Sequence, residues 1–440
     1  MHRSARGAGA DESILYRMGV SVQQMTNRAI GVGRFAVGIY TAKAQNLYHG
    51  LLKDDLLSQL HLPVGRSDPH AVYERMRQQG PVLPTRLGNL STTSYPVCEQ
   101  VLRNRAFAVN DPAAPRPGED MLDLSLLALN PPEHTRLRRL AAPAFTPRRM
   151  AGYEALVETS IDRLLDKVAG RSDFDLVSAF ASPLPIAVIT SMLGLADEPD
   201  RLRRVGATVA SALDGVNSLR HALQLFLADR EMRASFATLL ERAAREPGDD
   251  LASVLLAQQG DQITSAELSS LVGLLLLAGF ETTVNAIGNG VRALLTNREQ
   301  WEQLVDDPSL APAVVEEVLR YDPPVQQTAR VLLSASEPVE LAGVPVLPGQ
   351  WLVVMLAAAN RDPEVFTDPG RFDIGRNNAG EHLAFSGGIH YCLGAALARM
   401  ELIAAFRALA VRFPKLRLAG PVVMRPGTTL RGPRRLPVAR

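Results

Sequence analysis

Cys392 lies within Phe385–Gly394, FSGGIHYCLG, two residues after His390 and behind a glycine-rich loop. A thiol there suits metal ligation. The thiolate is the ligand, and helix N-terminal N–H groups with nearby positive charge lower a thiol's pKa. The segment that follows, LGAALARMELIAAFRALAVRF, has helical periodicity and no proline before Pro414. Gly387, Gly388 and Gly394 carry no Cβ, so the loop is free to take positive φ and let a flat, bulky ligand approach. The expectation is a low-pKa sulfur in a shielded, N–H-rich pocket that tunes a redox metal. A lone cysteine at a helix start is more often a small core residue, so the flanking pattern decides.

A second constellation begins at Leu271, LVGLLLLAGFETTVNAIGNG. Its opening apolar run is about ten residues, too short to span a bilayer, and so predicts a buried helix. Ala278 and Thr282 are four apart and share a face. Glu281 is an acid in mid-helix, expensive unless used or satisfied. Gly279 costs about 1 kcal/mol relative to alanine, which suggests a ligand or a local widening on that side. An acid beside a hydroxyl in a partly dry helix suits proton delivery. The plainer reading is a threonine bonded back to a carbonyl and a salt-bridged glutamate. Further on, Glu317 and Arg320 meet as a charged pair at i, i+3. Three basic sites also stand out: His134 with Arg138 after two prolines, Arg330 after Pro323/Pro324, and His390. Each alone is an ordinary surface base.

Together, Phe385, Gly388, His390, Cys392, Gly394, Leu397, Ala398 and Arg399 resemble the haem-binding signature of the cytochrome P450 family, with Ser386 where many members have glycine. The resemblance implies a mainly α fold, one large helical domain with a small β region. It implies haem b with Cys392 as the iron ligand, in a loop shaped by Phe385, Gly388 and Gly394. It makes AGFETT the oxygen-activation segment, Ala278 and Gly279 lying against the haem while Thr282 supports oxygen activation and Glu281 relays protons. His134, Arg138, Arg330 and His390 become partners of the haem propionates. Glu317, Arg320 and Arg371 become a structural cluster. The implied reaction inserts one atom of O2 into a mostly apolar small molecule. Two electrons come from NAD(P)H through a separate ferredoxin and its reductase, since no GxGxxG motif in a strand–helix setting is present. Arg136 and Arg139 would help dock that donor. Ala278, Phe280, Val325 and Gln326 would flank an apolar pocket. A peroxide-using haem enzyme and a non-catalytic haem carrier or gas sensor are the alternatives. A cysteine hydrolase on His390 and Cys392 is disfavoured, because residues two apart around a tight turn rarely present a base to a nucleophile.

The elements that must position these residues are mostly helical. Periodicity predicts helices over Tyr153–Ala169, Pro185–Leu195, Ser218–Arg245, Ser265–Asn297, Ala311–Tyr321 and Cys392–Phe413. Strand signals cluster in VELAGVPVLPGQWLVVML from Val339. The 440 residues are 46% hydrophobic, enough for a large buried core. With 47 basic and 46 acidic residues the net charge is +1, which gives no electrostatic case for nucleic acid. Two cysteines, Cys98 and Cys392, are too few for a disulfide framework and favour a reducing cytosol. The amino terminus has no secretory pattern, and the apolar span from Ala29 is interrupted by Arg34, so a cytoplasmic protein is expected. Residues 1–50 read as a helical extension before a haem domain over 51–440. For that extension, a helix packed on the body or partly frayed is favoured over membrane contact.

Overall fold

The computed structural model describes residues 22–113, 125–195, 199–248, 250–257 and 262–440. The predicted extension becomes α1 (Val22–Leu52), and its first 21 residues lie outside the described ones. The helices that frame the site are α2 (Glu133–Ala141), α3 (Pro147–Val168), α4 (Pro183–Leu193), α5 (Leu219–Arg245), α6 (Ser265–Thr296), α7 (Ala311–Tyr321) and α8 (Ala395–Arg412). Predicted and observed helix ends agree to within a few residues. The largest difference is at α3, which starts six residues early because Pro147 opens it at its first position.

Helix α6 is the axis of the molecule. Thr264 and Glu267 form a reciprocal capping box at its start: Thr264 Oγ1 accepts from the Glu267 N–H (3.2 Å), and the Thr264 N–H donates to Glu267 Oε2 (2.9 Å). Its apolar stretch is 83% buried and packs on α4, α5, α7 and α8. Among the described residues it alone is long and apolar enough to cross a bilayer, and its burial gives that composition another reason. Gly290 lets α8 come close, since a Cβ there would sit 2.3 Å from Phe406 Cζ. One core cluster surrounds α3 to α8, and a second lies beneath the main sheet.

That sheet has strands β1 (Leu83–Pro84), β2 (Leu90–Thr92), β3 (Phe107–Ala108), β4 (Thr328–Leu332) and β5 (Trp351–Val354), in the order β1-β2-β5-β4-β3. β2 runs parallel to β5 (Leu90 opposite Leu352), and β4 antiparallel to it (Arg330 opposite Leu352). Arg330 therefore stands on a buried central strand. Near the carboxy terminus, Val423–Met424 pairs with Pro433–Arg435, and Pro437–Ala439 pairs with both Asp173–Asp175 and Arg417–Leu418.

Candidate active site

The cysteine loop is tied back on itself by the Cys392 N–H donating to Phe385 O (2.9 Å). Of its three glycines only Gly388 has positive φ (62°), and a Cβ there would lie 2.3 Å from Leu102 O. Gly387 is extended (φ −156°) and Gly394 has φ −89°. The positive-φ role expected of three residues thus falls on one glycine and on Ser386, at φ 61°. By surface area Cys392 is exposed, yet protein atoms crowd its sulfur; a sulfur at the floor of a narrow opening fits both observations. Burial pushes the thiol above its ordinary value, against the opposing influence of a hydrogen bond from the Gly394 backbone and of Arg138 and Arg399. The expected low-pKa thiol is therefore corrected for the protein alone. Helix α8 starts only at Ala395, and desolvation outweighs the positive groups. A bound cation would reverse that balance. The other cysteine, Cys98, is core as expected, its thiol raised to about 12 by burial.

Four basic side chains converge beside this loop, with no carboxylate partner among the described residues. His134 and His390 stack with ring centroids 4.3 Å apart, and both His134 nitrogens and His390 Nε2 are buried without a hydrogen bond. Burial lowers the His390 pKa to about 3, helped by Arg330, His134 and Arg138. Burial also lowers Arg330 to about 10; among the described residues its partners are local, Thr328 Oγ1 (2.9 Å) and Ala329 O (2.8 Å). Arg138 donates to Tyr391 O (2.7 Å), in the residue before the cysteine. Buried donors left unpaired in this way are costly, and a ligand carrying two carboxylates would satisfy them. The donor set fits haem b, with a thiol for the iron and arginines and histidines for the propionates.

On α6, residues 271–277 and 283–291 are buried, whereas Ala278 is exposed and Gly279 and Thr282 are half-buried. The shared face of Ala278 and Thr282 is thus left uncovered by packing in the middle of the helix. Thr282 Oγ1 donates to Ala278 O (2.7 Å). Glu281 faces the other way, buried, and pairs with Arg425 (2.5 Å). Burial raises its pKa, while Arg425 opposes the shift and Asp214 adds to it. Gly279 has a packing reason: a Cβ there would lie 3.2 Å from Ile189 Cδ1 of α4, and the helix is not widened. Of the residues expected to flank the pocket, only Ala278 is exposed. Phe280 is buried against Gly206, Val325 bridges to Leu430, and Gln326 is used internally by Tyr73 and Pro323 O.

Glu317 and Arg320 are wholly buried and form a bidentate pair (2.7 and 2.8 Å). The third cation is Arg376, whose Nε lies 3.3 Å from Glu317 Oε2. Arg371, the expected member, is exposed and contributes its carbonyl, which accepts from Arg320 (3.0 Å). The cluster also holds Asn360 O, Pro369 O and the Asp373 N–H, fixing the chain that leads into the cysteine loop. A second anchor was not foreseen. Arg399 grips Glu316 with two bonds (2.6 and 2.9 Å) and lies 4.6 Å from the Phe385 ring centroid. Burial raises the Glu316 pKa, but hydrogen bonds from Arg399 and His382 prevail and leave it at about 2. Arg425 was likewise missed, because nothing local marks it. Of the expected docking arginines, Arg136 is engaged with Glu267 and Gln262 O, while Arg139 is exposed.

A cysteine at the foot of an opening, unpartnered bases beside its loop and an uncovered hydroxyl-bearing face on α6 are together the parts of a haem-thiolate site. Comparison with known proteins agrees. Residues 228–414 match the sequence model described as Cytochrome P450. A relative from Mycobacterium tuberculosis (strain ATCC 25618 / H37Rv), "Putative cytochrome P450 140", is 41% identical over 411 residues, covering 88% of this chain and 93% of its own. The 6-deoxyerythronolide B hydroxylase of Saccharopolyspora erythraea is 39% identical over 395 residues, covering 84% and 96%. The ligand-free crystal structure of Mycobacterium smegmatis CYP164A2 superposes with a TM-score of 0.80 at 37% identity, covering 88% and 99%. This chain belongs to the cytochrome P450 family: it is a haem b protein with the P450 fold and a monooxygenase.

Proposed function

We propose that the protein inserts one oxygen atom from O2 into a mostly apolar small organic substrate. Its two electrons would come from NAD(P)H through a separate ferredoxin and ferredoxin reductase, in the cytoplasm. The observation that carries this is the open Ala278/Thr282 face in an otherwise buried helix, with a buried acid on the adjoining residue. Haem b, held by Cys392 from residues 51–440, supplies the activation of oxygen and the redox change. His134, Arg138, Arg330 and His390 hold the propionates, and the lack of a carboxylate partner for them among the described residues supports that role. Phe385, Gly388 and Gly394 shape the loop around the sulfur. The Thr282 hydroxyl, now donating to Ala278 O, needs only a rotamer change to donate away from the helix. Glu281 is the nearest acid to that hydroxyl in the chain, and burial keeps its pKa above the ordinary carboxylate value, nearer the range where a group both takes and gives protons. Ala278 keeps the wall thin where the substrate sits, while Gly279 lets α6 approach Ile189 of α4.

The experiment has two parts. Reduced protein under carbon monoxide should show a strongly red-shifted Soret maximum that Cys392→Ser abolishes. With a substrate found by difference-absorbance titration of a compound library, Thr282→Ala should consume O2 at a similar rate while product falls about tenfold or more. Full product yield from that variant would defeat the assignment of Thr282.

A further inference from the structure

Two successive acids on α7 serve different segments. Glu317 is wholly buried among Arg320, Arg376 and the chain leading toward the cysteine loop, whereas Glu316 reaches the loop itself and keeps 24% of its side chain exposed. Glu316 is held from two directions. Arg399 Nε and Nη2 donate to its two oxygens (2.6 and 2.9 Å), and His382 Nε2 lies 3.3 Å from Oε2. A fork matched to a carboxylate in this way fixes a guanidinium in orientation as well as in place. The junction joins α7, the stretch that enters the cysteine loop and the helix that leaves it.

So fixed, Arg399 turns the rest of its guanidinium to the loop. Its central carbon lies 4.6 Å from the Phe385 ring centroid, and Nη1 donates to the Tyr391 hydroxyl (3.4 Å). The Phe385 ring also stands 5.7 Å from that of His382 and 6.2 Å from that of Tyr391. These contacts surround the residues nearest the sulfur: Phe385 O accepts the Cys392 N–H, and Tyr391 precedes the cysteine. Two cations, Arg138 and Arg399, act on the Cys392 sulfur in favour of its thiolate. They differ in one respect. Arg138 has no carboxylate partner among the described residues, whereas the charge of Arg399 is answered by Glu316. A fixed charge beside a metal-bound sulfur shifts the electron affinity of the metal, and the half-buried setting of Arg399 limits screening by solvent.

We propose that the Glu316–Arg399 pair sets the reduction potential of the iron bound by Cys392, Arg399 raising it by its charge beside the sulfur and Glu316 fixing and partly cancelling that charge. Both are positioning residues, acting through the cysteine loop. The inference rests on Cys392 as the iron ligand, and the carbon monoxide spectrum of each variant checks that reading separately.

The test is a redox titration of the substrate-free holoprotein, followed by the Soret band. A unit charge about 10 Å away at an effective dielectric constant near 20 gives an effect on the order of tenfold. Arg399→Gln should shift the equilibrium about tenfold toward the ferric form, about 59 mV lower for one electron. Glu316→Gln, which removes the cancelling charge, should shift it about threefold toward the ferrous form, and the double variant should lie between the two. Arg399→Lys, which keeps the charge and loses the fork, should stay within about twofold of wild type. Red-shifted carbon monoxide spectra together with unchanged potentials, or with Arg399→Gln and Glu316→Gln shifting the same way, would overturn the proposal while leaving Cys392 as the ligand. Absence of the red-shifted band from the wild type would overturn the ligand reading and the proposal with it. Should Arg399→Gln fail to take up haem, Glu316→Gln decides alone: a higher potential supports the proposal, and an equal or lower one overturns it.

Discussion

Ser386 is the position at which this chain works against itself. It holds φ at 61°, a region that costs a side chain with Cβ about 1 kcal/mol. Its hydroxyl is also buried without a hydrogen-bond partner, a burden of about 1 kcal/mol more. Replacing it by glycine removes both and gives back about 0.7 kcal/mol through the looser unfolded chain. The Ser386→Gly holoprotein should thus gain about 1 kcal/mol. In a chain of this length that is only about 1 °C in Tm, so denaturant unfolding followed by loss of the Soret band is the better assay, with a higher midpoint and unchanged slope. The neighbouring Gly388, whose φ is 62° and whose Cβ would strike Leu102 O, provides the opposite control: Gly388→Ala should lose haem. A Ser386→Gly protein less stable than wild type would refute the reasoning, because the hydroxyl would then have to be bonded in the folded state.

Glu401, on α8, is buried with Oε2 unpartnered, and burial raises its pKa to about 8. A carboxyl raised on folding holds its proton better in the native state, so its burial costs least at acid pH and the cost grows as pH rises from the ordinary carboxylate value toward 8. Glu401→Gln should match wild type near pH 5 and be the more stable in alkaline buffer, as urea midpoints across pH will show. Arg376→Ala should cost several kcal/mol and haem incorporation by leaving Glu317 with one fewer cation, whereas Arg371→Ala should stay within about 0.5 kcal/mol in the same unfolding assay. Arg139→Gln should slow reduction by a ferredoxin and flatten its salt dependence. Arg136→Gln should instead loosen the contact of α2 with Glu267 at the start of α6, read as faster hydrogen exchange there.

What the sequence made legible was local. The cysteine loop, the Ala278–Thr282 face and the Glu317/Arg320 pair each depend on residues within a few positions of one another, where helix and turn geometry fix the relation. The errors came from contacts across the chain. Arg371 and Arg376 are five apart in an irregular segment, and only the path of that segment around Glu317 decides which guanidinium reaches it. Gly279 owes its place to Ile189 on another helix. The thiol of Cys392 was misjudged because charge and helix start are readable in a motif while desolvation belongs to the whole fold. The sheet was partly hidden for the same reason: β2 and β5 are short and meet across about 260 residues, leaving little periodicity to read.

Arg425, the counter-ion of Glu281, lies far along the chain from α6, among the short strands over 417–439. The strands around it are two or three residues long, and the final one is stitched to Asp173–Asp175 and Arg417–Leu418. The carboxy-terminal tail thus reaches the centre of the molecule. A substitution that shifts these short strands would change the electrostatic setting of an acid in α6 without touching that helix, and kinetic comparisons of such variants would mix that change with whatever they set out to measure.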